Sequence, residues 1–310
     1  MTGRIVILTG GVGGAKLVKG CCETFPPDTV TAIVNTADDF VHLGLPVSPD
    51  IDTLVYTLSG KANPELGWGR AGESWNFMEA LRSLGGPGWF QLGDGDLAMH
   101  VLRAQALAAG APLSAFTAGV CESWGIAATV LPMSDSPVRT MLDTDAGELE
   151  FQDYFVGRRA APVVSAIRFA GAADARPGPG VIDAITAADT RAVLIAPSNP
   201  FLSVDPVLSV PGIREALCAT KAPVVAVSPL VGGDAVKGPT AKLMRELGMT
   251  VDAAAVAGHY AGLIDAMLID AGDPQADFPI TIARADTLMH SEADRVRVAQ
   301  AAVALADSLR

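Results

Sequence analysis

Apolar residues in this chain come in short solid blocks separated by stretches of mixed polarity. Arg4 to Thr9 (RIVILT) has an apolar interior without polar interruption and reads as a strand buried on both faces. A glycine turn over Gly10–Gly14 follows, then a helical pattern over Ala15–Thr24 and a second strand from Thr29 to Asn35. Strand, helix and strand in that order make a βαβ unit. Further strand blocks fall at 162–169, 191–196, 222–228, 266–270 and 279–284, separated by helical stretches at 179–189, 238–247 and 291–309. This alternation predicts an α/β fold built on a doubly wound, mostly parallel sheet.

The strand pattern lapses between about residues 60 and 125, where Gly72–Leu84, Asp96–Ala109 and Leu113–Trp124 read as helices joined by glycine-rich turns. The expected organisation is therefore a Rossmann-like nucleotide-binding core from residues 1–60 and 126–310, with a helical insertion or cap at 61–125. Ala128–Met133 and Val138–Leu142 are strand-like pieces with no assignable neighbour, and Gly171–Gly180 reads as a surface connection.

Composition narrows the function. Of 310 residues half are apolar and 18% are charged, which excludes disorder, and no apolar run approaches a membrane span. A net charge of −12 provides no field for nucleic acid or an anionic membrane, so neither is an expected partner. The start MTGRIVILTGG enters a strand at once instead of resembling a signal peptide, and a cytoplasmic protein is expected. Cys21, Cys22, Cys121 and Cys218 have no CxxC spacing and read as reduced thiols.

Candidate chemistry gathers after successive strands. LTGGVGGAK follows a strand and opens a helix, where backbone N–H groups and the helix dipole bind phosphate. Gly11, Gly13 and Gly14 are the candidates, although the segment could also be a tight turn with no ligand. Lys16 occupies the place of a third dinucleotide glycine and no GK[ST] follows, so neither nicotinamide chemistry nor a Walker loop is indicated. In NTADDFVHLGLPVSPDIDTLVYTL, Asp38 and Asp39 end the second strand, while Ser48 and Pro49 start a helix that carries Asp50 and Asp52 in its first turn. First-turn acids stabilise a helix dipole by about 0.3–1 kcal/mol each, a sufficient reason for two of them. Four carboxylates at one sheet edge facing a phosphate loop fit a Mg²⁺ site better, with Asp50 and Asp52 as its ligands. Three more loops follow the same logic: Asp94 and Asp96 with His100, then Ser198, Asn199 and Ser203, then Ser228, Gly232, Gly233 and Lys237.

Taken together, GGVGGAKL, NTADDFVHLGLPVSPDIDTLVYTL, GWFQLGDGDLA, APSNPFLSVDPVLSVPGIREAL and VAVSPLVGGDAVKGP resemble, in this order across residues 10–240, the CofD family. These are the 2-phospho-L-lactate transferases of coenzyme F420 biosynthesis, called FbiA in actinobacteria. The resemblance implies a Mg²⁺-dependent transfer from a guanosine diphosphate-linked donor to the terminal ribityl hydroxyl of the deazaflavin FO, with GMP leaving. It implies that Asp50 contacts FO and metal, that the PSNP and SPLVGG loops line the nucleotide, and that the protein is a homodimer. Lys16 and Lys237 are our own candidates for phosphate contacts, and Asp38 or Asp39 for orienting or deprotonating the hydroxyl. LGDGDLAMH departs from the family's LGDRDLATH or LGDKDLATH: Gly95 lacks the basic group and Met99 the hydroxyl. Nucleotide-sugar-binding regulators of the YvcK type share the scaffold, but the SPDID helix start and WFQLGDGDLA favour the transferase.

Overall fold

The structure is a computed structural model and describes residues 3–64, 68–235 and 238–310. β1 (Arg4–Thr9), α1 (Gly11–Thr24) and β2 (Val30–Val34) form the anticipated unit, and both strands are buried at every position after Arg4. A seven-stranded sheet holds β1 and β2 together with Thr129–Pro132, Thr190–Ile195, Val224–Val227, Ala266–Asp270 and Thr281–Ala285. Every pairing in it is parallel. Numbered by chain order its strands run 3-2-1-4-5-6-7, so the order reverses between β1 and Thr190–Ile195. Crevices at the carboxyl ends of such reversals are where doubly wound sheets bind ligands. Apolar clusters fill both faces, one against α1 and the helix Glu292–Asp307, the other against Val181–Thr186 and Ile213–Ala219. Solid apolar strands are the sequence consequence of that double cover.

Three local features differ from the sequence expectation. The 162–169 block lies outside the main sheet: Val164–Ala170 pairs antiparallel with Arg139–Thr144, which pairs in turn with Gly147–Glu150. Its alternating burial is that of a sheet with one face in water, a pattern that VSAIRFA carries through Arg168. Gly10–Gly14 is no free turn, since α1 begins at Gly11. The run between the acids is a hairpin, β3 (Phe40–His42) and β4 (Leu45–Val47), turned by Leu43 and Gly44 at φ 53° and 78°. Two successive positive φ values match the twist of paired strands, as in a type I′ turn.

α2 (Pro49–Leu58) follows the hairpin, and α3 (Asn76–Ser83), α4 (Asp94–Ala108) and α5 (Leu113–Ser123) precede the edge strand Thr129–Pro132. α4 packs on β4, and α5 on α2 and on that strand. All four cysteines are free thiols. Among the described residues no helix is long and apolar enough to cross a membrane.

Candidate functional site

The glycine turn meets the loop after Thr190–Ile195 at the reversal of strand order. Ser198 Oγ donates to the Gly10 carbonyl at 2.7 Å and accepts from the Gly10 N–H at 3.3 Å. A Cβ on Gly10 would lie 2.5 Å from Asp50 Oδ2, one on Gly13 2.8 Å from the Pro197 carbonyl oxygen, and one on Gly14 2.7 Å from Ser198 Oγ. Protein atoms therefore require these three glycines. Gly11 differs: a Cβ there would face open space, and its φ of 65° is what favours glycine. Lys16 sends its ammonium to the Met289 carbonyl at 2.5 Å.

Asp50 is the hub of the acidic segment. Its carboxylate accepts from the Gly11 N–H at 2.8 Å and from Asn35 Nδ2 at 3.0 Å, so it fastens the first turn of α2 to the first turn of α1. Asn35 extends the tie by donating to the Leu202 carbonyl at 3.2 Å and accepting from the Ala37 N–H. Asp38 accepts from Thr140 Oγ1 at 3.1 Å. Ser48 donates its hydroxyl to Asp39 at 2.7 Å instead of capping α2, while the other Asp39 oxygen is buried without a partner. Burial is the largest cause of the raised pKa values here. It lifts Asp50 to about 6, against the hydrogen bonds from Gly11 and Asn35, and Asp39 to about 8, against the one from Ser48 and the charge of Arg103. Burial and then repulsion from Asp50 carry Asp38 well above the usual carboxylate range.

Asp52 belongs to a different environment. Arg103 on α4, 1% exposed, grips both Asp52 oxygens, donates to the Pro46 carbonyl at 3.3 Å and lies 3.1 Å from His100 Nδ1. Burial pushes the Asp52 carboxyl up and the guanidinium opposes it; a broken pair would leave a lone charge in the interior. His100 also reaches Asp96 at 3.3 Å, and Asp96 accepts from the Tyr56 hydroxyl. Asp94 acts on its own surroundings. It accepts from Ser74, Asn76 and the Phe77 N–H, capping α3, while Glu73 accepts from the Gly95 and Asp96 N–H groups and caps α4. The space freed at Gly95 is taken by Arg70, whose Cζ lies 2.7 Å from where a Cβ would stand.

The two remaining loops are built with the same economy. Asn199 accepts from the Phe201 and Leu202 N–H groups and donates to Thr240, which shapes the turn Pro200–Val204 around buried Ser203. Ser228 accepts from the Leu230 N–H, and Gly232 and Gly233 adopt positive φ, with the Gly233 N–H bound by Asp273 at 3.0 Å. Lys237 lies outside the described residues. The structure thus joins Gly10, Gly11, Asp50 and Ser198 at one edge, with Asp38 beside Asp50; no hydrogen bond among the described residues links Gly232, Gly233 or Asp94 to them. Sequence reasoning missed Asn35, Thr140 and Arg103. Arg103 had a signal, since Asp96, His100 and Arg103 at i, i+4 and i+7 draw a polar stripe along one helix face.

A divalent cation is the group this chemistry implies, and part of the acidic set fits it. Asp38 and Asp50 are buried and repel each other, and among the described residues neither accepts from a basic side chain. Asp39 adds an unpaired buried oxygen. Asp52, gripped by Arg103, has no such need, so the donor set favours Asp50 with Asp38 over Asp50 with Asp52. Among the described residues no three His, Cys, Asp or Glu side chains form a metal cage. Mg²⁺ needs none, since it is usually held by one or two carboxylates plus substrate phosphates.

Comparison with known proteins identifies the family of the chain. The chain is 43% identical to a phosphoenolpyruvate transferase of Streptomyces griseus over 99% of both chains, and 37% identical to a 2-phospho-L-lactate transferase of Methanosarcina mazei over 93% of this chain and 95% of that one. The fold is similar to the crystal structure of a member of the upf0052 family from Bacillus halodurans, with a TM-score of 0.64 at 18% identity, covering 98% of this chain and 99% of that one. The family model for 2-phospho-L-lactate transferase CofD matches residues 5–308, and the chain belongs to the CofD family.

Proposed function

We propose that this transferase of F420 biosynthesis moves a phosphoenolpyruvyl group from a guanosine diphosphate-linked donor to the terminal ribityl hydroxyl of FO, giving the dehydro form of F420-0 and GMP. The enolpyruvyl donor is preferred over the lactyl one because the 43%-identical bacterial relative is named for phosphoenolpyruvate and the 37%-identical archaeal one for 2-phospho-L-lactate. The observation that carries the reading is the buried Asp38–Asp50 pair, without a basic partner among the described residues, at the carboxyl edge of the sheet in a CofD-family chain.

In this reading the hydroxyl oxygen attacks the phosphorus that bears the enolpyruvyl group, the bond from that phosphorus to the GMP oxygen breaks, and the hydroxyl proton passes to Asp38 or Asp39. Burial lifts the Asp39 carboxyl to about 8, which makes its deprotonated form a stronger base than an ordinary carboxylate. Asp50 is kept in place by the Gly11 N–H and Asn35, so the attacking group meets a fixed acid. A divalent ion bound by Asp50 and Asp38 would neutralise phosphate charge as it develops.

The test is direct. The protein is incubated with FO, Mg²⁺ and each guanosine diphosphate donor, and product and GMP are followed by mass spectrometry. Product from the enolpyruvyl donor, less from the lactyl one and none after chelation is the expected result. Undiminished turnover in EDTA would remove the metal from the scheme, and no product from any donor would remove the transfer.

A further inference from the structure

The antiparallel sheet that lies outside the main one reaches the acidic edge, and nothing in the transfer scheme yet uses it. Side chains two apart along a strand share a face, and at the start of Arg139–Thr144 the face of Val138, Thr140 and Leu142 is the buried one. Val138 and Leu142 are apolar, as packing on a core requires. Thr140, 1% exposed, is the exception. Valine has the same branched shape and would avoid the cost of burying a hydroxyl, so the hydroxyl calls for a partner. It has one: Thr140 Oγ1 donates to Asp38 Oδ1 at 3.1 Å.

The grip is wider than that one bond. The Thr140 N–H donates to the Ala37 carbonyl at 2.8 Å, and Gln152 Nε2, just beyond Gly147–Glu150, donates to the Asp38 carbonyl at 3.4 Å. The antiparallel segment therefore holds the turn after β2 by its main chain and by its acid at once. Asp50 is anchored from the other side, by the Gly11 N–H and Asn35. Two buried like charges lower their energy by swinging apart, and anchors on both are what keeps them together.

We propose that Thr140 is a positioning residue of the divalent-ion site: its hydroxyl holds the Asp38 carboxylate beside Asp50 before an ion arrives, and Gln152 steadies the same turn. The proposal rests on the metal part of the transfer reading and adds what presets the two ligands. Without the hydroxyl, Asp38 is free to rotate away from the like charge, and an arriving ion must draw it back at the expense of its own affinity. Loss of a group that orients a metal ligand typically weakens metal binding about 10–100-fold.

The experiment titrates Mn²⁺ into the chelator-treated protein with GDP present, reading free Mn²⁺ by electron paramagnetic resonance, for the parent and its Thr140→Val, Thr140→Ser and Leu142→Ala variants. GDP affinity and Tm are measured on the same samples. Thr140→Val should weaken Mn²⁺ binding about tenfold or more. Thr140→Ser, which restores the hydroxyl, should recover most of that loss. Leu142→Ala loosens the same buried face without touching an acid, so it should lower Tm and leave Mn²⁺ affinity alone. If Thr140→Val binds Mn²⁺ like the parent, the positioning role is overturned and the metal reading stands. If Leu142→Ala loses as much Mn²⁺ affinity as Thr140→Val, the effect belongs to the packing of the sheet and the proposal is overturned. A parent that binds no Mn²⁺ at all removes the metal reading, and this proposal with it.

Discussion

Asp50 and Asp52 stand two residues apart on the first turn of α2, and their surroundings share almost nothing. Asp50 faces the reversal of strand order, held by a backbone N–H and an asparagine amide, with another acid close by and no basic side chain bonded to it among the described residues. Asp52 faces α4 and is gripped by a buried guanidinium. One side of the helix accumulates charge that a ligand can neutralise, and the other is already neutral. An acidic motif is therefore not one site: the partner of each carboxylate decides which acids are available for chemistry and which hold the frame.

The most severe way to break this contrast is to remove the guanidinium. Arg103→Met leaves the Asp52 charge buried and unpaired, and should cost about 3–5 kcal/mol of stability in denaturant unfolding. Adding Asp52→Asn should return much of that loss, and a single variant as stable as the parent would show that the pair does not hold the frame. The opposite side is tested by Asp50→Asn, which should lower turnover about a hundredfold or more, or about 2.7 kcal/mol of transition-state stabilisation, with little loss in Tm. Asp52→Asn alone should do the reverse, affecting stability before rate.

Gly13→Val probes the junction between the two. Its new side chain would meet the Pro197 carbonyl, so an overpacking cost of about 1–3 kcal/mol is expected in unfolding. Unchanged stability with weakened GDP binding would instead return this glycine to a phosphate contact.

The smallest effect concerns pH. A carboxyl held at about 8 binds its proton more tightly in the folded chain, so it favours folding below the ordinary carboxylate range and loses that contribution as pH rises through 8. Asp39→Asn removes the loss. Its Tm advantage over the parent should grow by about 2–4 °C from pH 5 to pH 9, and an advantage that shrinks with pH would reverse the assignment.

The sequence makes some of this contrast visible and hides the rest for physical reasons. Solid apolar blocks such as RIVILT announce the parallel strands, because burial on both faces leaves no polar position to alternate. VSAIRFA is harder: the antiparallel partner that places it outside the main sheet lies upstream, beyond another strand, and carries no periodic mark that names it. Asp50 and the glycine turn are legible from strand–turn–helix order alone. The Pro197 and Ser198 atoms that stand against Gly13 and Gly14 come from a loop nearly two hundred residues later in the chain, and no local pattern encodes that. The division between Asp50 and Asp52 escapes local reading for the same reason, since Arg103 arrives from another helix.

That arrival has a kinetic consequence. α4 supplies the only guanidinium that grips Asp52 among the described residues, and through Pro46 the same side chain touches the hairpin. Helix, hairpin and the first turn of α2 should therefore open as one cooperative unit, because releasing any of them strands the same buried charge. Amide hydrogens in the first turn of α2 and around Arg103 would then exchange at a common rate, and Arg103→Met would uncouple the two.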